Sequence, residues 1–240
     1  MAESLLAEGL DLAPYARRFA EHGRVQVPGF LRPEVAARLQ HCLLHEVPWT
    51  LAYRKGKRSQ TLAHEVWRDL PVADKQALVR EVVAEARGDF AFLYESYMMV
   101  TAYQEGRDPG LPLHAFLEFL AWPPFLAVCR ELTGATDIAL VDAQATRYMP
   151  GHFLPRHDDT GYEGGAVRRA AYVISLCQEW QPEWGGLLHF LEPDGAVSET
   201  FVPAYNTLSV FKTPQMHEVS YVAPYARVPR VSITGWMRAK

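Results

Sequence analysis

Apolar residues in the first half of the chain recur every three or four positions, which is the spacing of one face of an α-helix. The segments that carry this pattern are residues 13–22, 32–46, 72–87, 111–122 and 123–134. Pro33 and Pro71 suit helix starts, because the first turn leaves its backbone N–H groups unpaired and proline has none. Gly134 suits a C-cap, where the backbone turns left-handed. The first half is therefore predicted to be mostly helical.

From about residue 136 the pattern changes to short runs of Val, Ile, Thr, Tyr and Phe, separated by Pro, Gly and Asn. The runs are IALVDAQATRY, RAAYVISLC, GGLLHFL, TFVPAY, TLSVFK, HEVSYV and RVSITGWM. Strands at this spacing are typical of an all-β sandwich or barrel. Among the helices, only RVQVPGF alternates like a strand.

Composition limits the classes of protein to which the chain can belong. With 240 residues, of which 49% are hydrophobic and 22% charged, it can bury one sizeable core. We expect a single domain, 1–240, with a mostly helical support region over 1–135 and a β core over 136–240. A net charge of −4 gives no general attraction to nucleic acid or to anionic membranes, so neither is an expected partner.

The cysteines and the N-terminal sequence indicate in which cellular compartment the protein is expected. Cys42, Cys129 and Cys177 are far apart and lie in apolar runs, which indicates buried thiols in a reducing environment. The start MAESLLAEGLDLA lacks the basic and apolar regions of a signal peptide, and no run of about 18 apolar residues occurs. We expect a cytoplasmic protein.

The stretch PRHDD, residues 155–159, places a histidine beside two aspartates. If it is a strand, side chains alternate between faces, so His157 and Asp159 point one way and Asp158 the other. The predicted strand HEVSYV supplies His217. Two histidines and one carboxylate on one face are the ligand set of non-haem Fe(II) oxygenases, which leaves coordination positions open for a bidentate co-substrate and O₂. We therefore expect His157, Asp159 and His217 to bind a metal.

Four motifs occur in one order: RYMPGHFLPRHDD, EWGGLLHF, MHEV and RVSITGWM. This order resembles the 2-oxoglutarate and Fe(II)-dependent dioxygenases of the prolyl 4-hydroxylase type and covers about residues 145–240. VPGFLRPEVAARL and GDFAFLYESY also resemble the branch that contains fungal-type prolyl dihydroxylases acting on a ribosomal protein. The resemblance implies an α+β fold with a mainly β core, a double-stranded β-helix (jelly roll) with N-terminal helices packed on it.

The resemblance assigns roles to individual residues. It makes the three expected metal ligands iron ligands and Arg230 the partner of the distal carboxylate of 2-oxoglutarate, with Tyr148 as a hydrogen-bond donor to the same group. Ser232 lies two residues beyond Arg230, hence on the same strand face, and is a third candidate contact. The implied cofactor is Fe(II), with 2-oxoglutarate and O₂ as co-substrates and ascorbate as an accessory reductant.

Two points stay open at this stage. Arg227 is a rival for Arg230, but Arg230 begins an alternating run whereas Arg227 lies in the Pro-containing turn APYARVP. Ser175 and Cys177 stand where many relatives carry Tyr and Asn, which leaves contacts on that strand undecided.

Other residues have simpler interpretations. His41 and His45 have zinc-binding spacing but no third ligand nearby, so a half-buried helix face is expected. Gly185 and Gly186 lack a phosphate-loop context and predict a bulge or a close backbone approach. Five aromatic residues either line a substrate groove or pack a helical layer on the barrel: Phe90, Phe92, Tyr94, Tyr97 and Tyr103.

The expected function is hydroxylation of an unactivated C–H bond, first of all in a prolyl residue of a protein or peptide. The alternatives are a small-molecule hydroxylase, acting for example on a free amino acid, and a non-catalytic jelly roll that binds or senses a ligand. A nucleic-acid demethylase of the AlkB type is disfavoured, because that family expects a second arginine where Trp236 stands, and because the chain is acidic. The oligomeric state is not predicted.

Overall fold

The computed structural model describes residues 4–160 and 166–239. The α-helices are α1 Ala13–His22, α2 Pro33–His45, α3 His64–Asp69, α4 Val72–Glu85, α5 Met99–Gln104, α6 Pro112–Leu120 and α7 Pro123–Thr133. The strands are β1 Arg24–Pro28, β2 Thr50–Lys55, β3 Arg58–Leu62, β4 Leu93–Tyr97, β5 Ile138–Val141, β6 Gln144–Tyr148, β7 Leu154–His157, β8 Arg168–Ser175, β9 Leu188–Leu191, β10 Val197–Phe201, β11 Thr207–Lys212, β12 His217–Val219 and β13 Arg230–Ala239.

The strands form two antiparallel sheets. The major sheet has the order β1-β11-β8-β13-β6-β4-β2-β3, with β5 paired to β13, and the minor sheet has the order β10-β9-β12-β7. Apart from the adjacent pairs β2-β3 and β9-β10, neighbours in the sheets are far apart in the chain, as expected when strands wind back and forth between two sheets. The fold is the predicted jelly roll with helices packed on it.

The two faces of the major sheet have different chemistry. Val210, Ile174 and Ile233 point outward into a large apolar core shared with the helices, where they join residues such as Leu43 and Phe116. The alternate positions point inward, between the sheets, and many of them are polar. Inward-facing polar side chains on otherwise apolar strands therefore collect in one internal space.

The five predicted helices all form, with ends that differ from the prediction by no more than two residues. Gly134 adopts φ 71° at the C-cap of α7, and its N–H donates to the carbonyl of Arg130 at 2.8 Å. This left-handed cap is the reason that a glycine ends the helix.

The first half contributes more to the sheet than predicted. Besides β1, which the alternating RVQVP run predicted, it supplies β2, β3 and β4, which extend the major sheet beyond the barrel. β2 and β3 form a hairpin whose turn residues Gly56 and Lys57 both have positive φ, 60° and 62°. Such turns match the twist of paired strands. The sequence pattern did not predict this hairpin, because basic residues interrupt the alternation of apolar positions in β2 and β3.

Several predicted strands have different bounds. IALVDAQATRY is split into β5 and β6 at Asp142 and Ala143, and TFVPAY is not a strand as a whole, since β10 ends at Phe201. Proline lacks the N–H that a central strand must donate, so Pro203 lies beyond the end of pairing.

Within the described residues, no single helix is long and apolar enough to cross a membrane. α6 and α7 reach that length only together, across a bend of 61°. Both helices bury apolar side chains in the core, among them Phe116 and Phe125.

Candidate metal centre and co-substrate pocket

His157, Asp159 and His217 come together at one end of the space between the sheets. One ligand atom from each lies within 4.8 Å of the others, and this is the one such group of His, Cys, Asp or Glu within 4–160 and 166–239. The Nε2 atoms of His157 and His217 are each 3.6 Å from a carboxylate oxygen of Asp159. β7 and β12 pair antiparallel with His157 opposite His217, so the sheet register brings the two imidazoles together.

The backbone orients both imidazole rings. Nδ1 of His157 lies 2.9 Å from the carbonyl of Pro155, and Nδ1 of His217 lies 2.7 Å from the carbonyl of Gln215. A carbonyl can only accept, so each Nδ1 carries the proton and each Nε2 presents a lone pair. Burial lowers the pKa of His217 to about 4, with a further lowering by His157, so this ring is neutral at physiological pH.

Asp159 reaches this position by a different route from the predicted one. β7 ends at His157, so strand alternation does not extend to the aspartates. Asp159 instead has φ 58°, a left-handed conformation that is uncommon for residues other than glycine. Its backbone carbonyl accepts a hydrogen bond from Nη1 of Arg168 at 2.9 Å. The expected aspartate lies at the centre, but the prediction that strand alternation would place it there was wrong.

Asp158 forms a local hydrogen bond in the backbone turn that follows β7. Its Oδ1 accepts a hydrogen bond from the backbone N–H of Thr160 at 2.8 Å, and hydrogen bonding to Thr160 holds the pKa of the carboxyl below its usual range. Asp158 is not part of the metal-ligating group.

The three side chains lie on the wall of a cavity of about 210 Å³ between the two sheets. Arg230 lies on the same wall and is only 3% exposed, and its Nε has no hydrogen-bond partner among the described residues. No carboxylate of the described chain pairs with it. A buried cation without an anionic partner is costly, so this arrangement fits a pocket for an anionic ligand.

Tyr148 and Ser232 also line the cavity. Cζ of Arg230 lies 5.1 Å from the centre of the Tyr148 ring, and burial raises the pKa of that phenol far above its usual range. The hydroxyls of Ser232 and Thr146 are 2.8 Å apart on neighbouring strands. A guanidinium, a phenol and a hydroxyl pair thus surround one end of the cavity.

The rival arginine lies elsewhere. Arg227 is exposed and contributes to a separate surface cavity with Glu183 and Trp184. Cys177 is buried, and its thiol lies 3.3 Å from both the backbone nitrogen and the carbonyl oxygen of Val231. Ser175 is buried opposite Ser232 on the neighbouring strand.

Gly185 and Gly186 allow the close approach that was predicted. A Cβ on Gly185 would lie 2.0 Å from the carbonyl oxygen of Tyr221, and a Cβ on Gly186 would lie 3.1 Å from Cδ of Arg230. The glycines let the chain pass directly behind the buried arginine.

Two further residues line the wall: Tyr94, for which the sequence left a substrate groove and packing on the barrel as alternatives, and Trp236, which sequence reasoning missed. Tyr94 stacks on Tyr148 with ring centres 5.2 Å apart and planes 16° apart. Trp236 also lines the cavity, and Cζ of Arg168 lies 3.8 Å from the centre of its ring. The spacing of Trp236 from Arg230, six residues along one strand, placed both on one face and was the available signal for Trp236.

The remaining histidine candidates do not form a metal site. The rings of His41 and His45 are 4.8 Å apart, but Nδ1 of His41 contacts Glu46 at 2.9 Å on the surface of α2. Within the part of the chain that is described, they belong to no group of three candidate ligands.

Comparisons with known proteins agree with this geometry. The family model described as the 2OG-Fe(II) oxygenase superfamily matches residues 143–238. Prolyl 3-hydroxylase OGFOD1 of Mus musculus is 26% identical over 153 residues, which are 60% of this chain. The match covers only 27% of that relative's length.

Solved structures resemble the whole fold. The crystal structure of a Pseudomonas putida prolyl-4-hydroxylase has a TM-score of 0.57 and 20% identity, with 100% of both chains covered. A prolyl hydroxylase from Trichoplax adhaerens, in complex with a hypoxia inducible factor oxygen degradation domain peptide fragment, has a TM-score of 0.57 and 15% identity, covering 95% of this chain and 89% of that one. At these identities the matches establish the fold.

The family's Fe(II), 2-oxoglutarate and O₂ suit the donor set and the unpaired cation of the cavity. The β core, over residues 143–238, thus matches the 2-oxoglutarate and Fe(II)-dependent oxygenase superfamily, and the whole chain has the fold of the prolyl 4-hydroxylases.

Proposed function

We propose that this protein is a 2-oxoglutarate-dependent dioxygenase that hydroxylates a prolyl residue of a protein or peptide. The observation that carries the proposal is the pairing of an open His157–Asp159–His217 donor set with a buried arginine that has no carboxylate partner among the described residues, in the same cavity. Bound Fe(II), with O₂ and 2-oxoglutarate, supplies the oxidising power for C–H hydroxylation, and succinate and CO₂ are the co-products.

The three ligand side chains hold the metal from one side. Each imidazole donates its Nδ1 proton to a backbone carbonyl, which directs Nε2 towards the metal position. The Asp159 carboxylate adds one negative charge. Three protein ligands would leave coordination positions open on the metal for a bidentate co-substrate.

Arg230 orients the co-substrate. Its guanidinium offers two parallel N–H donors to a carboxylate, and Tyr148 adds an uncharged donor beside it. Ser232 and Thr146 add hydroxyl groups to the same end of the cavity. These residues fit the distal carboxylate of 2-oxoglutarate, because they neutralise one negative charge without requiring a second cation.

Apolar side chains keep water away from the reacting groups. Leu154, Leu188, Val219 and Phe211 line the cavity, and most of their surface is buried. A cavity wall of apolar side chains excludes water and so protects a reactive centre from side reactions. The substrate class is proposed by analogy with the prolyl hydroxylases that share the fold.

The first test is spectroscopic. Anaerobic addition of Fe(II) and 2-oxoglutarate to the metal-free protein is expected to produce a weak metal-to-ligand charge-transfer band in the visible. Absence of this band, together with tight binding of some other ligand, would point instead to a binding or sensing protein.

The second test addresses the substrate. Mass spectrometry of proteins from cells with and without the enzyme is expected to reveal a prolyl residue that gains one oxygen atom only when the enzyme is present. A gain of oxygen confined to a free metabolite would contradict the prolyl assignment while leaving the reaction class intact.

A further inference from the structure

The inner face of the major sheet continues past the cavity onto β4, β2 and β3. Tyr94 on β4 comes one position before the paired residues Glu95 and Arg147, and its ring stacks on that of Tyr148. Ala52 on β2 lies opposite Tyr94, and Thr61 on β3 lies opposite Ala52. These residues share one face, because paired positions in neighbouring strands point the same way. A single surface therefore runs from the cavity wall to the edge of the sheet.

The two faces of β4, β2 and β3 differ in how far they are covered by the rest of the protein. Leu51, Tyr53 and Leu93 point to the other face, where they pack with Val82 of α4 in a small apolar core. On the cavity side, Phe92 and Arg54 remain partly exposed, and Ser59 and Thr61 are exposed. The helices thus cover one face and leave accessible the face that leads into the cavity.

Aromatic rings line this accessible face in sequence. Phe90 and Phe92 have ring centres 6.0 Å apart, Phe92 and Tyr94 5.5 Å, and Tyr94 and Tyr148 5.2 Å. Cζ of Arg54 lies 5.6 Å from the centre of the Phe90 ring. We name the surface formed by Phe90, Phe92, Tyr94 and Arg54 the aromatic platform.

Three cations at the far end of the platform have no carboxylate partner among the described residues. The carboxylate of Glu81 binds Lys55, and Glu85 accepts the turn N–H groups of Gly56 at 2.8 Å and Lys57 at 3.3 Å. α4 thereby holds the hairpin in place with both of its nearby carboxylates. Within the described residues, no carboxylate forms a salt bridge with the side chains of Arg54, Lys57 or Arg58.

We propose that the aromatic platform binds the segment of an extended peptide substrate that flanks the target proline, and that Arg54 selects an acidic side chain in it. This inference rests on the proposed function. The platform is continuous with the cavity, its rings offer flat apolar contact to a peptide, and its unpaired cation is complementary to a carboxylate. A peptide is favoured over a nucleic acid because the chain as a whole is acidic, with a net charge of −4.

The geometry sets the spacing of the acidic residue. Arg54 lies opposite Phe92, two residues from Tyr94 along β4 and one strand across, so it is roughly 10 Å from the cavity wall at ordinary strand dimensions. An extended chain spans that distance in about three residues. The acidic preference should therefore lie about three residues from the proline, on one flank only.

The test uses the Fe(II)-loaded full chain and synthetic peptides with one central proline in a neutral background. Each flanking position is replaced in turn by Asp or Lys, and hydroxylated product is measured by mass spectrometry. Wild-type protein is expected to show a KM about fivefold lower for Asp than for Lys at one position, the size expected of a partly exposed ion pair.

Charge reversal identifies the residue responsible. Arg54→Glu is expected to reverse the preference, so that the Lys peptide has the lower KM, with kcat changed less than about twofold. Arg80→Glu makes the same change of charge on the exposed side of α4, behind the sheet, and should leave the preference as in wild type. If Arg54→Glu does not fold, Arg54→Met retains the alkyl stem and should abolish the preference.

The possible failures are distinguishable. If proline peptides are hydroxylated but acidic residues have no effect, or Arg54→Glu and Arg80→Glu behave alike, the platform inference is wrong and the proposed function stands. If no proline peptide of any composition is hydroxylated although 2-oxoglutarate binds, the prolyl assignment fails and the inference fails with it. Tighter binding of a single-stranded RNA than of any peptide would also overturn the inference.

Discussion

At the scale of the residue, Asp159 combines an unfavourable backbone conformation with a position in the candidate metal centre, beside both histidines. Its φ of 58° costs roughly 1 kcal/mol in a residue with a Cβ. The hydrogen bond from Arg168 to its carbonyl and the two imidazoles beside its carboxylate hold it there. Strain concentrated at a candidate ligand is consistent with a position selected for binding rather than for stability.

Asp159 and Asp158 make a matched pair for testing the ligand set. Asp159→Ala is expected to abolish binding of Fe(II), or of Co(II) as a redox-stable substitute, because it removes the only anionic ligand of the group. Asp158→Ala should leave metal affinity within about twofold, since its carboxylate caps a turn. Titration calorimetry of the metal-free protein measures both, and equal losses in the two variants would refute the assignment.

Arg230 and Arg227 form a second pair. Arg230→Ala is expected to raise the 2-oxoglutarate concentration needed for half-saturation by roughly 100-fold, because truncating one partner of a buried charge pair costs about 2–5 kcal/mol. Arg227→Ala, on the exposed turn, should change it less than about twofold. The charge-transfer band provides the readout under anaerobic conditions. A larger effect from Arg227 would reverse the assignment of the co-substrate pocket.

At the scale of the element, the turn at Gly185 allows two segments to lie in contact behind the cavity. Its φ of 68° and ψ of −148° form a combination essentially restricted to glycine. A side chain there would collide with the backbone of Tyr221, two residues beyond the end of β12. The position of the strand that carries His217 therefore depends on the absence of a side chain at Gly185.

Gly185→Ala is expected to lower the free energy of unfolding by more than about 3 kcal/mol, from backbone strain together with overpacking. Gly56→Ala is the control, because Gly56 also has positive φ but a Cβ at this position would meet no atom within 4 Å, so the substitution should cost about 1 kcal/mol. Urea unfolding measures both. Similar losses would mean that the contact with Tyr221 relaxes without cost.

At the scale of the whole molecule, the fold buries one histidine, His152, that does not line the cavity. His152 is 4% exposed, and burial lowers its pKa to about 4. Its Nδ1 has no hydrogen-bond partner among the described residues. The folded protein thus holds this ring neutral, whereas the unfolded chain protonates it near pH ~6.5.

This difference predicts acid sensitivity. A depressed histidine pKa means that the unfolded state binds the extra proton first, so stability is lost as the pH falls from about 6.5 towards 4. Protonation of His152 in the unfolded chain should lower the free energy of unfolding by about 2 kcal/mol at pH 5. The metal-free His152→Leu variant should lose correspondingly less stability than wild type between pH 7 and pH 5 in urea unfolding. Parallel stability profiles would show that the ring does not titrate in this range.

Local pattern was sufficient for a large part of the fold. Apolar spacing located α1, α2, α4, α6 and α7, and β-branched runs located most strands of the core. It was insufficient for β2 and β3, because basic residues interrupt the apolar alternation of this hairpin. The strands form there because α4 and β4, which lie well beyond the hairpin in the sequence, cover and pair with them.

The sequence by itself predicted the donor types of the candidate site, namely two histidines and a neighbouring aspartate, and a β-rich second half. These predictions follow from residue type and short-range periodicity, whereas the role of an arginine near the last strand follows from the resemblance of the four motifs. The tertiary structure decided which aspartate faces the histidines and which arginine is buried, and it placed Tyr94 and Trp236 on the cavity wall. Those outcomes depend on strand ends, left-handed turns and pairing across the sheet, which arise only when distant segments pack together.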